Sequence, residues 1–258
     1  MSDLVSIPAT VTSVSCNNCS ISEITSSDAL KLWERDLSLL GNSELVAIRW
    51  EYDDRVSGSL PKWVRTLDFL EKLVLDFTLI DIFRLGDFPG SLKELNAIGV
   101  GVVGKNKLKL EEGCFLGLEK LEILNLETCE LVDNDFTVGM FRDLGVLKEL
   151  RLHHNRNITE LPAGVFDGLV NLETLDLRWT GVKVFGVGLF ANLGSLSEFL
   201  FGYDGSPNAL ERIEKGAFEG EQETRFVIQL SPQHPNVRRS PYPPRFLNLL
   251  QVFAICQP

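Results

Sequence analysis

Two consecutive segments decide the fold: LKELRLHHNRNITELPAGVFDGL at residues 147–169 and LETLDLRWTGVKVFGVGLFANL at residues 172–193. Both begin with Leu-x-x-Leu-x-Leu, both carry a small polar residue three positions later, and both place a Phe three residues before a Leu. Features that recur together at a fixed offset indicate internal repeats, each of which buries its apolar face against the next.

The same template fits along the rest of the chain. The first spacing between its candidate starts is 34 residues, and the other spacings lie between 22 and 29. The pattern resembles the leucine-rich repeat, whose period is about 20–29 residues. The stretch LPAGVFDGLVNLETLDL further resembles the "typical" repeats of Toll-like and variable lymphocyte receptors. The nine candidate starts are Val11, Leu45, Leu70, Leu92, Leu121, Leu147, Leu172, Leu196 and Glu223.

This resemblance implies an α/β fold: a curved leucine-rich repeat solenoid with a parallel β-sheet on the concave face and loops and short helices on the convex side. We expect an N-terminal flank at residues 1–10, a solenoid of about nine repeats at 11–231, and a Pro-rich segment with a C-terminal cap at 232–258. A helical insert near residues 27–41 accounts for the long first spacing. The register between Leu70 and Gly104 stays open, because the template fits weakly there.

Position nine of each repeat tests the register independently. The chain leaves the strand there, so an inward polar side chain must bond to the backbone of the turn. The residue at this position carries a hydrogen-bonding group in eight of the nine repeats, and Val100 is the exception. The eight are Cys19, Asp53, Thr78, Cys129, Asn155, Thr180, Asp204 and Ser231.

The CNNC stretch at residues 16–19 is the first candidate for metal or redox chemistry. In the repeat register, Cys16 takes the third apolar position and Cys19 takes position nine. Both are therefore expected to be structural thiols. A zinc site would need further ligands, and no second CxxC follows. We expect no metal and no cofactor.

The stretch GVGVVGK, from Gly99 to Lys105, satisfies a glycine pattern that binds phosphates. Such a loop must open a helix, whereas the following NKLKLEEGCF lacks helical periodicity, and Asn106 replaces the hydroxyl that would bind magnesium. A nucleotide-dependent switch at this loop is the less favoured alternative. No other catalytic constellation is found, and we expect a protein that is not an enzyme.

Charge and cysteine content indicate which classes of partner and which cellular location to expect. The net charge of −11 argues against nucleic acid, and no apolar run is long enough to cross a bilayer. Five cysteines, an odd number, and an N-terminus unlike a signal peptide favour a cytoplasmic location. An extracellular location remains open if the chain is a fragment of a receptor, and the oligomeric state is not determined.

Strand positions three, five and seven should line the concave face, where both signs of charge alternate with carboxylates in excess. Such a surface suits a folded protein partner. Position eight holds aromatic residues in four repeats, which either contact the partner or pack on the next repeat. The expected partner-binding residues are Glu127, Glu149, Arg151, His153, Asp176, Arg178, Trp179, Glu198 and Tyr203.

Two adjacent histidines, His153 and His154, end the sixth strand. Alternation along a strand predicts that they point to opposite faces and make a poor metal pair. The sequence therefore predicts a protein-binding scaffold, with the ligand-recognition ectodomain of a receptor-like protein as the alternative.

Overall fold

The computed structural model describes residues 13–17, 47–52, 57–102, 107–202, 210–218 and 226–229, with the backbone alone for the first and last of these ranges. The predicted insert near 27–41, the Pro-rich segment and the ninth residues Cys19, Asp53, Asp204 and Ser231 lie outside the described residues. The strands are β1 (Ser13–Asn17), β2 (Ala47–Glu51), β3 (Ser57–Ser59), β4 (Lys72–Val74), β5 (Leu79–Phe83), β6 (Glu94–Asn96), β7 (Lys109–Leu110), β8 (Ile123–Asn125), β9 (Glu149–Arg151), β10 (Thr174–Arg178), β11 (Val184–Phe185), β12 (Glu198–Gly202), β13 (Arg212–Ile213) and β14 (Phe226–Gln229).

One long parallel sheet runs through the described residues in the order β1-β2-β4-β6-β8-β9-β10-β12-β14. Two smaller parallel sheets, β3-β5-β7 and β11-β13, form separately from the long sheet. Short 3₁₀ helices occupy Val64–Thr66 and Asp133–Asp135. Helices are few, and the architecture is the leucine-rich repeat solenoid that the sequence predicts.

In the long sheet, the third residue of each repeat pairs with the third residue of the next repeat. Lys72 pairs with Glu94 and Glu94 with Ile123, and the alignment continues through Glu149 and Thr174 to Glu198. This ladder settles the register that the sequence left open after Leu70. In the weak fourth repeat, Leu92, Leu95, Ala97 and Val100 are fully buried.

The leucines of the template form the core. Because strand residues alternate between faces, the apolar positions four and six point inward while positions three, five and seven point outward. In three consecutive central repeats, positions one, four and six are all fully buried leucines: Leu121, Leu124, Leu126, Leu147, Leu150, Leu152, Leu172, Leu175 and Leu177.

A second apolar column consists of phenylalanines, one from each of six successive repeats. Their neighbouring ring centroids lie 4.8–6.4 Å apart and their planes within 22° of parallel. Stacked rings at such separations add about 0.5–1.5 kcal/mol per pair beyond their burial. The column therefore holds each coil against both neighbours. Its members are Phe88, Phe115, Phe141, Phe166, Phe190 and Phe218.

Position nine bonds to the turn backbone at four described repeats, as predicted. Asn155 makes the most contacts, donating to the carbonyls of Leu126 and Leu152 and accepting from the amides of Cys129 and Leu131. The thiol of Cys129 donates to the Ala97 carbonyl of an earlier coil at 2.8 Å. The hydroxyls of Thr78 and Thr180 bond within their own coils.

Burial also raises the pKa of the Cys129 and Cys114 thiols well above the ordinary value. A thiol that stays protonated is a poor nucleophile and a poor metal ligand. These two cysteines are therefore structural. The side chains of Cys16 and Cys19 lie outside the described residues.

Replacement of Asn155 by Ala should destabilise the protein by at least about 3 kcal/mol, because two amides and two carbonyls in buried turns lose their partner. Thr180→Val is the matched control, since it removes a single bond, to the Leu177 carbonyl, and valine is already tolerated at this position as Val100. It should cost about 1 kcal/mol. Urea unfolding of both variants measures the difference, and equal losses would show that Asn155 does not link coils.

Candidate functional site

Every lysine and arginine side chain on the described concave face forms a salt bridge with a carboxylate of the same face. Each lies against a carboxylate two residues away on its own strand or on the neighbouring strand. The pairing leaves the carboxylates of Asp76, Glu127 and Glu198 in excess on this face, so its outward charge is negative. The pairs are Arg49–Glu51 at 2.5 Å, Lys72–Glu94 at 2.6 Å, Arg151–Glu149, and Arg178–Asp176 at 2.5 Å.

The pair of Asp176 and Arg178 is the best fixed of these. Asp176 is 3% exposed and accepts bonds from the backbone amide of Arg178 and from its Nε and Nη2 atoms. The bond from the guanidinium to this carboxylate raises the pKa of Arg178. Asp176 therefore holds Arg178 in a fixed orientation and offers little surface of its own to a partner.

Two histidines and a glutamate meet at the end of β9, and we name Glu127, His153 and His154 the His–Glu cluster. The Oε1 atom of Glu127 lies 2.9 Å from Nε2 of His153 and 3.9 Å from Nδ1 of His154. The two imidazole centroids are 5.2 Å apart. Burial, and then the neighbouring His153, lowers the pKa of His154.

The expectation that these histidines point to opposite faces is wrong. His154 has a φ of 60°, in the left-handed region, where strand alternation no longer applies. The left-handed turn brings its ring back beside that of His153. A column of such residues recurs at position eight, where Tyr52, Phe77 and Thr128 also have a positive φ.

The same left-handed backbone at position eight places aromatic side chains along the edge of the concave face. Trp179 also has a positive φ and stacks on His154 at 5.0 Å, with the Arg156 guanidinium 5.3 Å from the centre of the indole ring. Tyr52 stacks on Phe77 at 4.7 Å and stays 60% exposed. The rings pack on neighbouring repeats and also keep exposed surface at the edge of the face.

The structure gathers most of the predicted residues on one surface. Glu149 and Arg151 lie on β9 beside the His–Glu cluster, Glu198 is exposed at the start of β12, and Tyr203 is outside the described residues. The sequence reasoning missed His154 and Arg156. A histidine at position eight is the signal that could have indicated His154, given the left-handed backbone there.

The glycine loop after β6 is explained by packing. A Cβ atom on Gly99 would lie 2.6 Å from the ring of Phe77, and one on Gly101 would lie 3.0 Å from the amide of Leu108. Both glycines have a positive φ. The chain then continues into strand β7, so the described part of the loop does not lead into the helix that a phosphate loop requires.

Asp76 is the carboxylate whose titration the fold alters most clearly on this face. Burial raises its pKa from 3.8 to about 6, partly opposed by the bond that its Oδ1 accepts from the Ile98 amide. A raised carboxyl pKa means that ionisation costs stability above pH 6, and that the cost vanishes as the pH falls below 3.8.

We therefore expect Asp76→Asn, which keeps the Oδ1 acceptor, to stabilise the protein above pH 6 by on the order of 1 kcal/mol, a value reduced for solvent screening. The advantage should shrink towards zero near pH 4. Melting temperatures measured across this range test it, with Glu198→Gln, on the exposed part of the same face, as the control. An advantage that does not change with pH would rule out ionisation as its cause.

Comparison with known proteins agrees with the fold. Residues 134–182 match the family model described as leucine rich repeat, and the same strand register continues on both sides of this segment. Residues 134–182 are thus similar to this family, and the described residues form a leucine-rich repeat solenoid. Repeats of this family generally serve as protein-interaction modules without enzymatic activity.

Among 182 matching chains of solved structures is one from the octameric complex of Latrophilin 3, Unc5D and FLRT2. The match has 20% identity and a TM-score of 0.47, and it covers 62% of this chain and 54% of that chain. No curated protein sequence matches the chain. No helix among the described residues is long and apolar enough to cross a membrane.

Proposed function

We propose that the protein is a non-enzymatic binding module whose concave face holds a partner protein with a basic surface. The observation that carries the proposal is the charge of this face: every basic side chain described on it is paired, and carboxylates remain in excess. Unlike charges on two surfaces guide association and discriminate against partners of the wrong charge.

Strands β9, β10 and β12 and the turn after β10 supply the proposed contacts. Arg178 and Arg151 are fixed by their carboxylate partners, so little side-chain entropy is lost when they bind. Glu198 extends the acidic surface at one side and Trp179 offers ring surface at the rim. Aromatic and arginine side chains with fixed orientations are the residues that most often dominate binding energy. Asp176 acts by positioning Arg178.

Charge reversal tests the proposal. Arg178→Glu would place a second carboxylate beside the buried Asp176 and destabilise the fold. A loss of binding by that variant could then reflect unfolding. Glu198→Lys is therefore the better variant. We expect it to lower the affinity for a basic partner about two- to fivefold, the size of an exposed charge contact. Glu119→Lys, at an exposed site in the turn before β8, is the matched control and should leave binding unchanged.

Affinity capture with quantitative mass spectrometry identifies proteins that are lost from Glu198→Lys and kept by Glu119→Lys. Titration of a purified partner at increasing salt then measures the affinity. Binding should weaken as salt screens the charges. A partner that both variants bind equally and that salt does not affect would place the binding surface elsewhere.

A further inference from the structure

The His–Glu cluster contains an electrostatic conflict. His153 lies between two carboxylates: its Nε2 is 2.9 Å from Oε1 of Glu127, and its Nδ1 is 3.4 Å from Oδ2 of Asp176. The Nδ1 atom is buried and has no hydrogen-bond partner among the described residues. A buried nitrogen without a partner destabilises the fold, so this arrangement calls for a physical reason.

A neutral imidazole has one nitrogen that donates and one that accepts. If Nε2 of His153 carries the proton, the lone pair of Nδ1 faces the carboxylate of Asp176. If Nδ1 carries it, the lone pair of Nε2 faces the carboxylate of Glu127. Either tautomer sets a lone pair against a negative charge. Protonation of both nitrogens removes the conflict, because an imidazolium faces each carboxylate with an N–H group. A metal cation between Nε2 and Glu127 removes it as well, because both groups then act as ligands and the proton on Nδ1 faces Asp176.

His154 supplies a third ligand atom at the same place. Its Nδ1 lies 3.9 Å from the same Oε1 atom of Glu127, and the ligand atoms of the three side chains all lie within 4.8 Å of one another. Ligand atoms of a tetrahedral zinc ion, at bond lengths of about 2.0–2.2 Å, lie somewhat over 3 Å apart. Small side-chain rotations are therefore sufficient to close the site.

We propose that Glu127, His153 and His154 bind a divalent transition-metal ion of the Zn²⁺ class on the concave face. Two imidazoles and one carboxylate suit Zn²⁺ better than Mg²⁺ or Ca²⁺, which prefer oxygen ligands. Three protein ligands leave one position for water. Asp176 lies behind His153, with its Oδ2 atom 3.4 Å from Nδ1. Shortening of this contact to a hydrogen bond on metal binding would complete the carboxylate–histidine–metal arrangement that fixes the tautomer of a ligating imidazole.

The surroundings allow the ion to enter and fix the ligands once it is bound. The side chains of Glu127 and His154 are 24% and 38% exposed, whereas that of Asp176 is 4% exposed. The ring of His154 is held by stacking on Trp179. The ligand side of the cluster is open to solvent, and its supporting side is closed.

Titration of the purified protein with Zn²⁺ alone, followed by calorimetry, tests the site without any partner protein. We expect a single bound ion, released protons, since ligands must be deprotonated, and a higher melting temperature in its presence. His153→Ala and His154→Asn should each weaken binding by at least about tenfold, and Asp176→Asn by about ten- to a hundredfold. Asn is chosen at 154 because it tolerates the left-handed backbone.

Two matched controls separate this site from other possible ligands in the chain. His234→Ala removes the third histidine, and the pair Cys16→Ala and Cys19→Ala removes the CNNC thiols. Both should bind Zn²⁺ as the unaltered protein does, and Co²⁺ in the site should show no thiolate charge-transfer band. Circular dichroism of each variant checks that it is folded.

The proposal is overturned if the unaltered protein binds Zn²⁺ no better than the variant that lacks both His153 and His154. It is also overturned if loss of His234 or of the CNNC thiols abolishes binding. Because no partner enters the measurement, either result would leave the proposed protein-binding function standing. Conversely, loss of the protein partner would not affect the metal titration.

Discussion

No single coil of this protein can bury its own apolar side chains, and this constraint determines the rest of the structure. The described repeats place apolar side chains, most of them leucines, at positions one, four and six towards the interior, where only the next coil can cover them. The phenylalanine column and the hydrogen bonds of Asn155 likewise join neighbouring coils outside the long sheet, so these parts of each coil also rely on the next one. The regular strand spacing on the concave face is a consequence, because neighbouring coils must align for equivalent side chains to meet.

The fold could be predicted from the sequence because this burial leaves a periodic signal. Leu147, Leu150 and Leu152 occupy the positions that their spacing indicates, and the paired strands confirm the register even around Ala97 and Val100, where the signal is weak. The extent of the terminal regions stays a prediction. Those regions lack the repeat pattern and lie outside the described residues.

The candidate site could be predicted only in part. Alternation along a strand correctly assigned Glu149, Arg151 and Arg178 to one face. It could not show that each arginine is paired with a neighbouring carboxylate, since pairing depends on side-chain rotamers. Alternation failed at His154 for a physical reason: its left-handed backbone is imposed by the turn, and the histidine itself signals that conformation only weakly. The turn thus created a cluster that the residue order concealed.

The stacking of coils has a mechanical consequence. Because coils contact only their neighbours, a force that pulls the two ends apart acts on every junction between coils in turn. The weakest junction therefore sets the force that the solenoid withstands. The fourth repeat has Ala97 where the next three coils have leucine, and Val100 where its neighbours have a hydrogen-bonding side chain. Among the described coils, this junction is the one that we expect to extend first under tension.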